Sequence, residues 1–573
     1  MPYHRSIILS NFPKEVFKKI LNSQSKTITS AAVILGAASL VSRLLGVFRD
    51  RILAGKFGAG DAMDVYFAAF RVPDLIYGLL VVGALTAGFI PVFTSYLSKK
   101  RDADTPRTVL GVSSESRSRS GTVMPEEAQY LANDVLNIVG LGLFLICGLA
   151  IIFARQIVPL IAPGFGPEKL NLTISLSRII FLSPIFLGIS GVFSGVLQSF
   201  KHFIAFSLAP IFYNLGIIFG ALFLTNSFGI YGLGLGVVLG AFLHMLIQIP
   251  PAVFFGFRYR PVLDFYNSGI GRIGRLMIPR TFSLGLSQFN FLAMTIIAST
   301  LASGSLAIFN FAYNIYAFPL GIIAASYAVA AFPTMTRYAQ EKDWKSFGQS
   351  FSSAFRQILF FIIPASALLI VLRAQIVRVV LGAGMFDWND TILTITTLQF
   401  LIFGLFADAL VLLLVRGFFA VEDTTTPFIL GIFDTLIRVT TAYFLSRHLG
   451  VAGMAIGFAS GCVVYAVLLW LFLRRRVGDM DRKKIFSSII KILIASLLAA
   501  LAAYGALRVF DDLVNMKTFL GIFTQGLVAG LFGIAIYVIV GLTLRSEEML
   551  GFWQVITHRL PWSKVASKKE TIE

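Results

Sequence analysis

Predominantly apolar runs of about 20 residues recur along this chain between Ile28 and Leu544. A helix of that length crosses the hydrocarbon core of a bilayer, so each run is a candidate transmembrane helix. The 573-residue chain is 57% hydrophobic and 13% charged, which is about half the charged fraction of a typical globular protein. Because a soluble core could not bury so much apolar surface, the sequence predicts an all-α integral membrane protein.

The apolar runs predict about 14 transmembrane helices, arranged as two six-helix lobes with pseudo-two-fold symmetry and two further C-terminal helices. The predicted spans lie near 28–55, 62–97, 129–154, 172–200, 203–225 and 229–256, then near 274–301, 305–336, 351–373, 391–420, 425–446 and 451–473, and finally near 485–508 and 518–544. The corresponding domains are a cytoplasmic N-terminal segment (1–27), a first lobe (28–256), a second lobe (257–473), two additional helices (474–545) and a cytoplasmic tail (546–573).

The distribution of positive charge predicts the orientation of these spans. The net charge of +19 arises mostly from Lys and Arg in short loops between apolar runs. Loops after even-numbered spans carry about 20 of these residues against about nine on the other side, which places the first set and both termini in the cytoplasm. This pattern determines membrane topology and is not typical of nucleic-acid binding. Cys147 and Cys462 lie in apolar runs, and the His residues have no metal-ligand spacing, so we expect no metal site and no cofactor.

Two pairs of segments indicate an internal repeat. GDAMDVYFAAFRVP at 60–73 and GSLAIFNFAYNIYAFP at 304–319 both place a glycine, an aromatic-alanine stretch and a proline on the second helix of a lobe. LQSFKHFIAFSLAP at 197–210 and VRGFFAVEDTTTP at 415–427 both combine a helix end, a short turn and a proline. Repeated bundles are how many secondary transporters build two lobes around a central site. The alternative is that Gly and Pro are simply frequent in membrane helices.

Charged residues inside the first two spans require an explanation, because a charge at mid-bilayer costs roughly 2.5 to 3.5 kcal/mol. Arg43, Arg49 and Asp50 interrupt the first apolar run, and Asp64 and Arg71 lie in the second. Arg43 and Asp50 are seven residues apart and therefore share a helical face, as do Asp64 and Arg71. Each helix is predicted to turn this polar stripe toward a cavity and away from lipid.

The segment that contains these charges resembles a known family. SRLLGVFRDRILAGKFGAGDAMDVYFAAFRVPDL, at 42–75, is similar to the N-terminal signature of the MurJ/MviN family, and RGFFAVEDTTTPF, at 416–428, is similar to its later motif. The family belongs to the MOP superfamily of flippases and exporters. The resemblance implies a transporter, not an enzyme, that serves peptidoglycan synthesis, and hence cell-wall biogenesis and cell shape, in the bacterial inner membrane. The implied activity is alternating-access transfer of lipid II, the undecaprenyl-pyrophosphate-linked disaccharide-pentapeptide, from the cytoplasmic to the outer leaflet.

The resemblance also implies the substrate-binding residues. Arg43 and Arg49 match arginines that line the family's central cationic cavity, and Asp50 and Asp64 belong to the same signature. A guanidinium is well suited to a pyrophosphate because its planar fork makes bidentate contacts. The alternative is that Arg43 pairs with Asp50 and merely fixes the first helix.

The chain departs from the family pattern at four positions. Tyr77 and Val82 stand where the best-known members have a further arginine and a glutamate, and Asn314 and Ile315 stand where the family has an Asp-Arg pair. The cavity would therefore hold fewer cations than usual, or one cation has moved, or the cargo is another lipid-linked compound.

Arg280 is the candidate for a moved cation. It shares one helical face with Ser283, Ser287 and Asn290, and we expect it to bind substrate. The alternative is an arginine whose side chain extends to the lipid headgroups.

Asp434 is a candidate ion-coupling residue. An acid within a span can bind Na⁺ or H⁺, and Asp408 lies in a neighbouring span. Arg438 is four residues from Asp434, so an intrahelical ion pair is the alternative.

Three other functions compete with lipid II transport. A different MOP-type exporter would carry a polysaccharide-linked lipid or an amphipathic drug. A membrane enzyme would require paired carboxylates, His residues or metal ligands on an exposed loop, whereas the loops are mainly basic and serine-rich and His202 and His448 stand alone. A non-transporting membrane scaffold is compatible with the missing arginines. Besides the substrate, the expected partners are membrane lipids.

Overall fold

The computed structural model describes residues 28–82, 88–103, 124–511 and 513–559, and within these ranges the protein contains helices and no strand. The first twelve helices are α1 (Ile28–Phe57), α2 (Asp61–Tyr77), α3 (Ile90–Ala103), α4 (Glu126–Ile152), α5 (Ala154–Ile161), α6 (Pro167–Ile180), α7 (Ser183–Ser199), α8 (Phe203–Phe219), α9 (Thr225–Phe228), α10 (Tyr231–Leu246), α11 (Ile249–Phe254) and α12 (Ser268–Ser299). The following helices are α13 (Ser305–Pro319), α14 (Ala325–Gln340), α15 (Trp344–Val371), α16 (Arg373–Val380), α17 (Trp388–Ile402), α18 (Leu405–Ala420), α19 (Thr425–Leu449), α20 (Val451–Val477), α21 (Arg482–Asp511), α22 (Phe519–Thr543) and α23 (Glu547–Arg559).

Ten apolar helical stretches of the described residues are long enough to cross a bilayer. They are Glu126–Ile152, Pro167–Ser199, Phe203–Phe228, Tyr231–Phe254, Ser305–Gln340, Trp344–Val371, Thr425–Leu449, Val451–Val477, Arg482–Asp511 and Phe519–Thr543. Helices α17 and α18 meet at a bend of 44°. If they form one broken span, the number of such stretches is eleven. The predicted all-α membrane fold is thereby confirmed. The predicted spans near 28–55, 62–97 and 274–301 correspond to α1, to α2 with α3, and to α12. The total of 14 transmembrane helices stays a prediction.

The chain forms two compact units. One comprises the described residues up to Leu53 together with Gly60–Ser303, and the other comprises Ala54–Ala59 together with the described residues from Gly304 onward. Helix α12 belongs to the first unit, although its span was assigned to the second lobe in the sequence. The predicted lobe boundary at 256/257 therefore differs from the division into compact units, and the assignment of functional lobes remains a prediction.

The helices formed by the first pair of related sequence segments, α2 and α13, are followed by the same kind of irregularity. A π-helical segment follows α2 at Gly78–Val82, and another follows α13 at Leu320–Ala324. Proline precedes both segments, at Pro73 and at Pro319, and proline removes a backbone donor from the helix. Such π-helical segments occur frequently at functional sites. Their matching positions support the internal repeat expected from the two related sequence segments.

The turns that introduce later helices also match between the units. Lys201 before α8 and Glu422 before α19 have positive φ angles of 58° and 60°. Gly229 before α10 and Gly450 before α20 have φ angles of 54° and 57°. Residues with side chains rarely adopt this conformation, so its recurrence at equivalent turns is further support for repetition.

Glycine allows two helix pairs to approach at backbone distance. Helices α10 and α20 each carry glycines at four-residue spacing, namely Gly232, Gly236 and Gly240, and Gly453, Gly457 and Gly461. A Cβ atom on Gly236 would lie 2.7 Å from the Cα of Gly220, and one on Gly457 would lie 2.4 Å from the backbone nitrogen of Ala442. This small-residue packing is typical of membrane helices. It positions α8 and α19, which carry polar residues of the candidate sites.

Candidate functional site

Arg49 is the centre of a polar cluster in the first unit. Its Nε and Nη2 donate to Oδ1 of Asp50 at 3.0 and 2.8 Å, and its Nη1 donates to Oδ1 of Asn214 on α8 at 3.1 Å. The buried Tyr66 and the half-buried Tyr213 lie close enough to interact electrostatically with this guanidinium. The cluster holds Arg49 in one orientation, and the side chain remains 23% exposed.

Asn214 connects α8 to α1. Its Nδ2 donates to the backbone oxygen of Ser42 at 3.3 Å and to that of Pro210 at 3.1 Å. The same amide thus contacts both the segment next to Arg43 and the guanidinium of Arg49. Asn214 could not be identified from the sequence, because a single amide in an apolar helix carries no signal of its distant partner.

Arg43 is half-buried and, in the described part of the chain, has neither a hydrogen-bond nor an ion-pair partner. The alternative pairing of Arg43 with Asp50 is not present, because Asp50 binds the adjacent Arg49. Seven residues correspond to a rise of about 10 Å along a helix, so a shared face does not bring the two side chains together. Arg43 keeps its guanidinium fork available.

Asp64 lies in a second cluster that includes Lys169, which the sequence analysis did not identify. Nζ of Lys169 lies 2.6 Å from Oδ1 of Asp61 and 2.6 Å from Oδ2 of Asp64. The hydroxyl of Ser303 donates to Asp61 at 2.7 Å, and the ring centroid of Phe165 lies 4.2 Å from the ammonium group. A lysine in the first turn of a span is usually interpreted as an interfacial charge, so its pairing with an acid 105 residues away was not predictable.

This second cluster opens into a cavity of about 810 Å³ in the first unit. Asp61, Lys169, Ile230 and Ser303 are among the lining residues. They come from the loops that follow the first, third, fifth and seventh predicted spans, or from the helix starts beside those loops. The meeting of these four loops at one end agrees with the predicted alternation of span direction.

The polar face predicted for α12 can be described only in part. The side chains of Arg280 and Ser283 lie outside the described residues. So does the side chain of Val82, one of the four positions that depart from the family pattern. Asn290 is buried, and among the described residues its Oδ1 has no hydrogen-bond partner. Arg71 of α2 lies with its guanidinium carbon 5.5 Å from the ring centroid of Phe291. The contribution of Arg280 therefore stays a prediction.

Asp434 in the second unit is paired with Arg438. Nη2 of Arg438 lies 3.1 Å from both carboxylate oxygens of Asp434, and both residues are buried. The guanidinium also lies 4.1 Å from the ring centroid of Phe458 and donates to Sγ of Cys462 at 3.5 Å. The intrahelical pair considered from the sequence is thus present. It provides Asp434 with a cation from the protein itself.

A second acid approaches this pair. The hydroxyl of Tyr316 on α13 donates to Oδ2 of Asp408 on α18 at 3.0 Å. The neighbouring Ile315, one of the four departures from the family pattern, is buried and apolar. The charged groups described in this region therefore come from α18 and α19, and Ile315 contributes no charge.

The motif at 416–428 forms a helix start. Oδ1 of Asp423 accepts hydrogen bonds from the backbone N–H groups of Thr425 and Thr426 at 3.1 and 2.9 Å, and Arg476 forms an ion pair with the same carboxylate. Burial acts to raise the pKa of Asp423, but the hydrogen bonds from Thr426 and the charge of Arg476 outweigh it and hold the pKa below its ordinary value. The motif is therefore explained by the contacts with which Asp423 stabilises the start of α19.

Residues 53–524 match the family described as lipid II flippase MurJ. The chain belongs to that family. It is 27% identical over 460 residues to the probable lipid II flippase MurJ of Treponema pallidum, which covers 79% of this chain and 83% of the relative. It is 29% identical over 457 residues to the corresponding protein of Rhizobium tropici, covering 78% and 80%. The family resemblance identified from the two motifs is confirmed, and with it the assignment as a transporter.

Solved structures confirm the fold of this family member. A structure described as lipid II flippase MurJ in an inward closed conformation matches with a TM-score of 0.72 and 23% identity, covering 90% of this chain and 99% of that one. An inward-facing multidrug resistance MATE family transporter of the MOP superfamily matches with a TM-score of 0.62 and 18% identity, covering 79% and 99%. At these identities the likeness establishes the fold.

Proposed function

We propose that this protein moves lipid II from the cytoplasmic to the outer leaflet of a bacterial inner membrane by alternating access. The observation that carries the proposal is the match of residues 53–524 to the lipid II flippase MurJ family. The curated relatives named above are described as probable lipid II flippases. Both termini of the chain are cytoplasmic in this proposal, as the loop charges predict.

Arg43 and Arg49 are the proposed anion-binding residues in a cationic cavity. A pyrophosphate is best bound by guanidinium groups in a site of low dielectric, where charge-assisted hydrogen bonds are strong. Arg43 has no partner to displace within the described residues, whereas Arg49 is already oriented by Asp50 and Asn214. In this proposal Asp50 positions Arg49, and Asp64 maintains the charge balance around Lys169.

Arg280 is the proposed cation of the second half of the transporter, since Ile315 cannot bind an anion. Replacing Arg280 with Ala should weaken lipid II binding by about 1.5 to 3 kcal/mol, the range for a charge-assisted hydrogen bond. Ile315→Arg in the same background should recover part of the loss. Unchanged affinity of the Arg280→Ala variant would remove this residue from the site.

The membrane lipids and a coupling ion complete the proposed set of partners. Many large apolar side chains are exposed on the helices of the described residues, including Leu497 and Leu501 on α21, and acyl chains would cover them. Asp434 was the initial candidate for binding Na⁺ or H⁺. Its pairing with Arg438 favours a different acid for this role.

Complementation tests the proposal directly. The full chain is expressed in a bacterium depleted of its own lipid II flippase, and growth and peptidoglycan synthesis are measured. We expect rescue by the unmodified chain and by Arg155→Ala, which replaces an exposed arginine of the same unit, but not by Arg43→Ala or Arg49→Ala. Lysis despite verified membrane insertion of the unmodified chain would indicate another lipid cargo or a scaffold role.

A further inference from the structure

A buried polar cluster in the second unit has no role in the anion-binding site proposed above. It consists of Asp408 on α18, Asp434 and Arg438 on α19, and Tyr316 on α13. Cys462 of α20 closes the cluster next to the guanidinium. Four helices of one unit thus converge on a network that contains two carboxyl groups and one permanent cation.

The hydrogen bonds within this network are distributed unevenly. Arg438 uses Nη2 to contact both oxygens of Asp434. Its Nε has no partner among the described residues, although the side chain is only 7% exposed. Asp408 receives a hydrogen bond from Tyr316 and, within the described residues, no ion pair. Arg438 therefore neutralises Asp434, and no cation within the described part of the chain makes contact with Asp408.

The charge balance of the network requires one more positive charge. If both carboxyl groups were ionised, the cluster would carry one uncompensated negative charge in a membrane-embedded region, which is costly. A proton on Asp408 removes that charge. Tyr316 donates to one oxygen of Asp408, so the other oxygen can carry the proton. Asp408 is half-buried whereas Asp434 is buried, so Asp408 is the more accessible of the two acids.

We propose that Asp408 is a proton-binding site whose loading and release accompany the transport cycle, while Asp434 and Arg438 remain an ion pair. Its link to transport rests on the proposed lipid II activity, whereas proton binding itself does not. A sodium ion fits less well, because hard cations require several oxygen ligands and the neighbouring guanidinium repels them. The protonation step is a transfer of H⁺ from water to a carboxylate and requires no other reactant.

The groups that face Asp408 come from three other helices. They are Tyr316 from α13, Asp434 and Arg438 from α19, and Cys462 from α20. The tyrosine and the thiol are neutral when protonated, so the balance between Asp434 and Arg438 decides the charge felt by Asp408. Loss of Asp434 would leave the guanidinium available to Asp408 and favour its ionised form.

Infrared difference spectroscopy of the full-length protein in lipid nanodiscs tests proton binding. The unmodified protein should show the carbonyl stretch of a protonated carboxyl group at neutral pH, and Asp408→Asn should lose that band. The matched control is Asp423→Asn, which removes an acid of the same unit outside the spans and should leave the band intact. A band that persists in Asp408→Asn, or is missing from the unmodified protein, would overturn the proposal.

Two further variants retain Asp408 and test its surroundings. Tyr316→Phe should shift the band to higher frequency because the carboxyl group loses a hydrogen-bond donor. In the Asp434→Asn variant, the band should appear only at a proton concentration at least about tenfold higher than in the unmodified protein. The reason is that Arg438 then stabilises the ionised form of Asp408. An unshifted band in both variants would place the protonated group elsewhere, whatever the behaviour of Asp408→Asn.

Transport in proteoliposomes tests the coupling. With purified lipid II, the rate of the unmodified protein should change when a pH gradient is imposed, and the rate of Asp408→Asn should not respond. A rate that ignores the gradient in the unmodified protein would refute the coupling role. If the unmodified protein does not move lipid II either, the proposed function fails. The infrared result still decides whether Asp408 binds a proton.

Discussion

Nζ of Lys169 lies 2.6 Å from Oδ2 of Asp64, whose side chain is only 3% exposed. A carboxylate this buried requires a partner, because an uncompensated charge away from water is strongly unfavourable. The pair joins the start of α2 to the start of α6. An acid that belongs to the family signature therefore has a structural function here, in addition to any proposed effect on substrate.

Replacing Lys169 with Met should destabilise the protein by about 3 to 5 kcal/mol, because Asp64 would stay buried without its cation. Thermal unfolding in detergent or nanodiscs measures the loss. Lys169→Met combined with Asp64→Asn should recover much of it, since neither charge remains. A double variant no more stable than the single one would show that the ion pair is not the cause.

Gly236→Ala should destabilise the packing of α10 against the π-helical segment Gly220–Leu224 that continues α8. The added Cβ would lie 2.7 Å from the Cα of Gly220, and backbone cannot move aside as a flexible side chain can. We expect a loss of about 1 to 3 kcal/mol, the range for overpacking. The control is Gly148→Ala in α4, where nothing lies within 4 Å of the added atom. Equal unfolding temperatures for the two variants would contradict the close packing.

Arg43→Ala and Arg49→Ala should each abolish lipid II transport while leaving membrane insertion intact. Lys at either position should restore transport only in part, because an ammonium group lacks the bidentate fork. Transport is measured in proteoliposomes, and insertion is checked by membrane fractionation. Full transport by both Ala variants would make these arginines structural.

The stability of the α19 start should depend on pH through Asp423. Its pKa in the folded protein lies below the ordinary 3.8, so the ionised form stabilises the fold. This contribution is complete above the unfolded pKa and is lost as the pH falls through the lower folded value. The unfolding temperature of Asp423→Asn should therefore fall less on acidification than that of the unmodified chain. Identical acid profiles would contradict this role.

The predicted topology can be tested at Ser116, which lies outside the described residues in the long polar loop of the sequence. A cysteine introduced there, in a background without Cys147 and Cys462, should resist a membrane-impermeant label in intact cells because the loop is expected to be cytoplasmic. It should react after permeabilisation. Strong labelling of intact cells would reverse the orientation of every span.

Much of the architecture followed from patterns that are local in sequence. Apolar runs predicted an all-α membrane protein, and ten apolar helical stretches of the described residues are long enough to cross a bilayer. The two related segments at 60–73 and 304–319 predicted a repeat, and both contain a proline and lead into a π-helical segment. The family assignment followed from two motifs and is confirmed by the match over residues 53–524. These features were accessible because hydrophobic length and turn-forming residues act over short stretches of chain.

The partners of the intramembrane charges could be decided only by the tertiary structure. Arg49 binds an amide 165 residues away at Asn214, and Asp64 pairs with Lys169 across 105 residues. Asp434 was predictable as a partner of Arg438 because one helical turn separates them, whereas the hydrogen bond from Tyr316 to Asp408 spans 92 residues. Periodicity orients a side chain relative to its own helix. It contains no information about which side chain a neighbouring helix presents, and in a low-dielectric interior that neighbour determines whether a charge is neutralised or left available for a ligand.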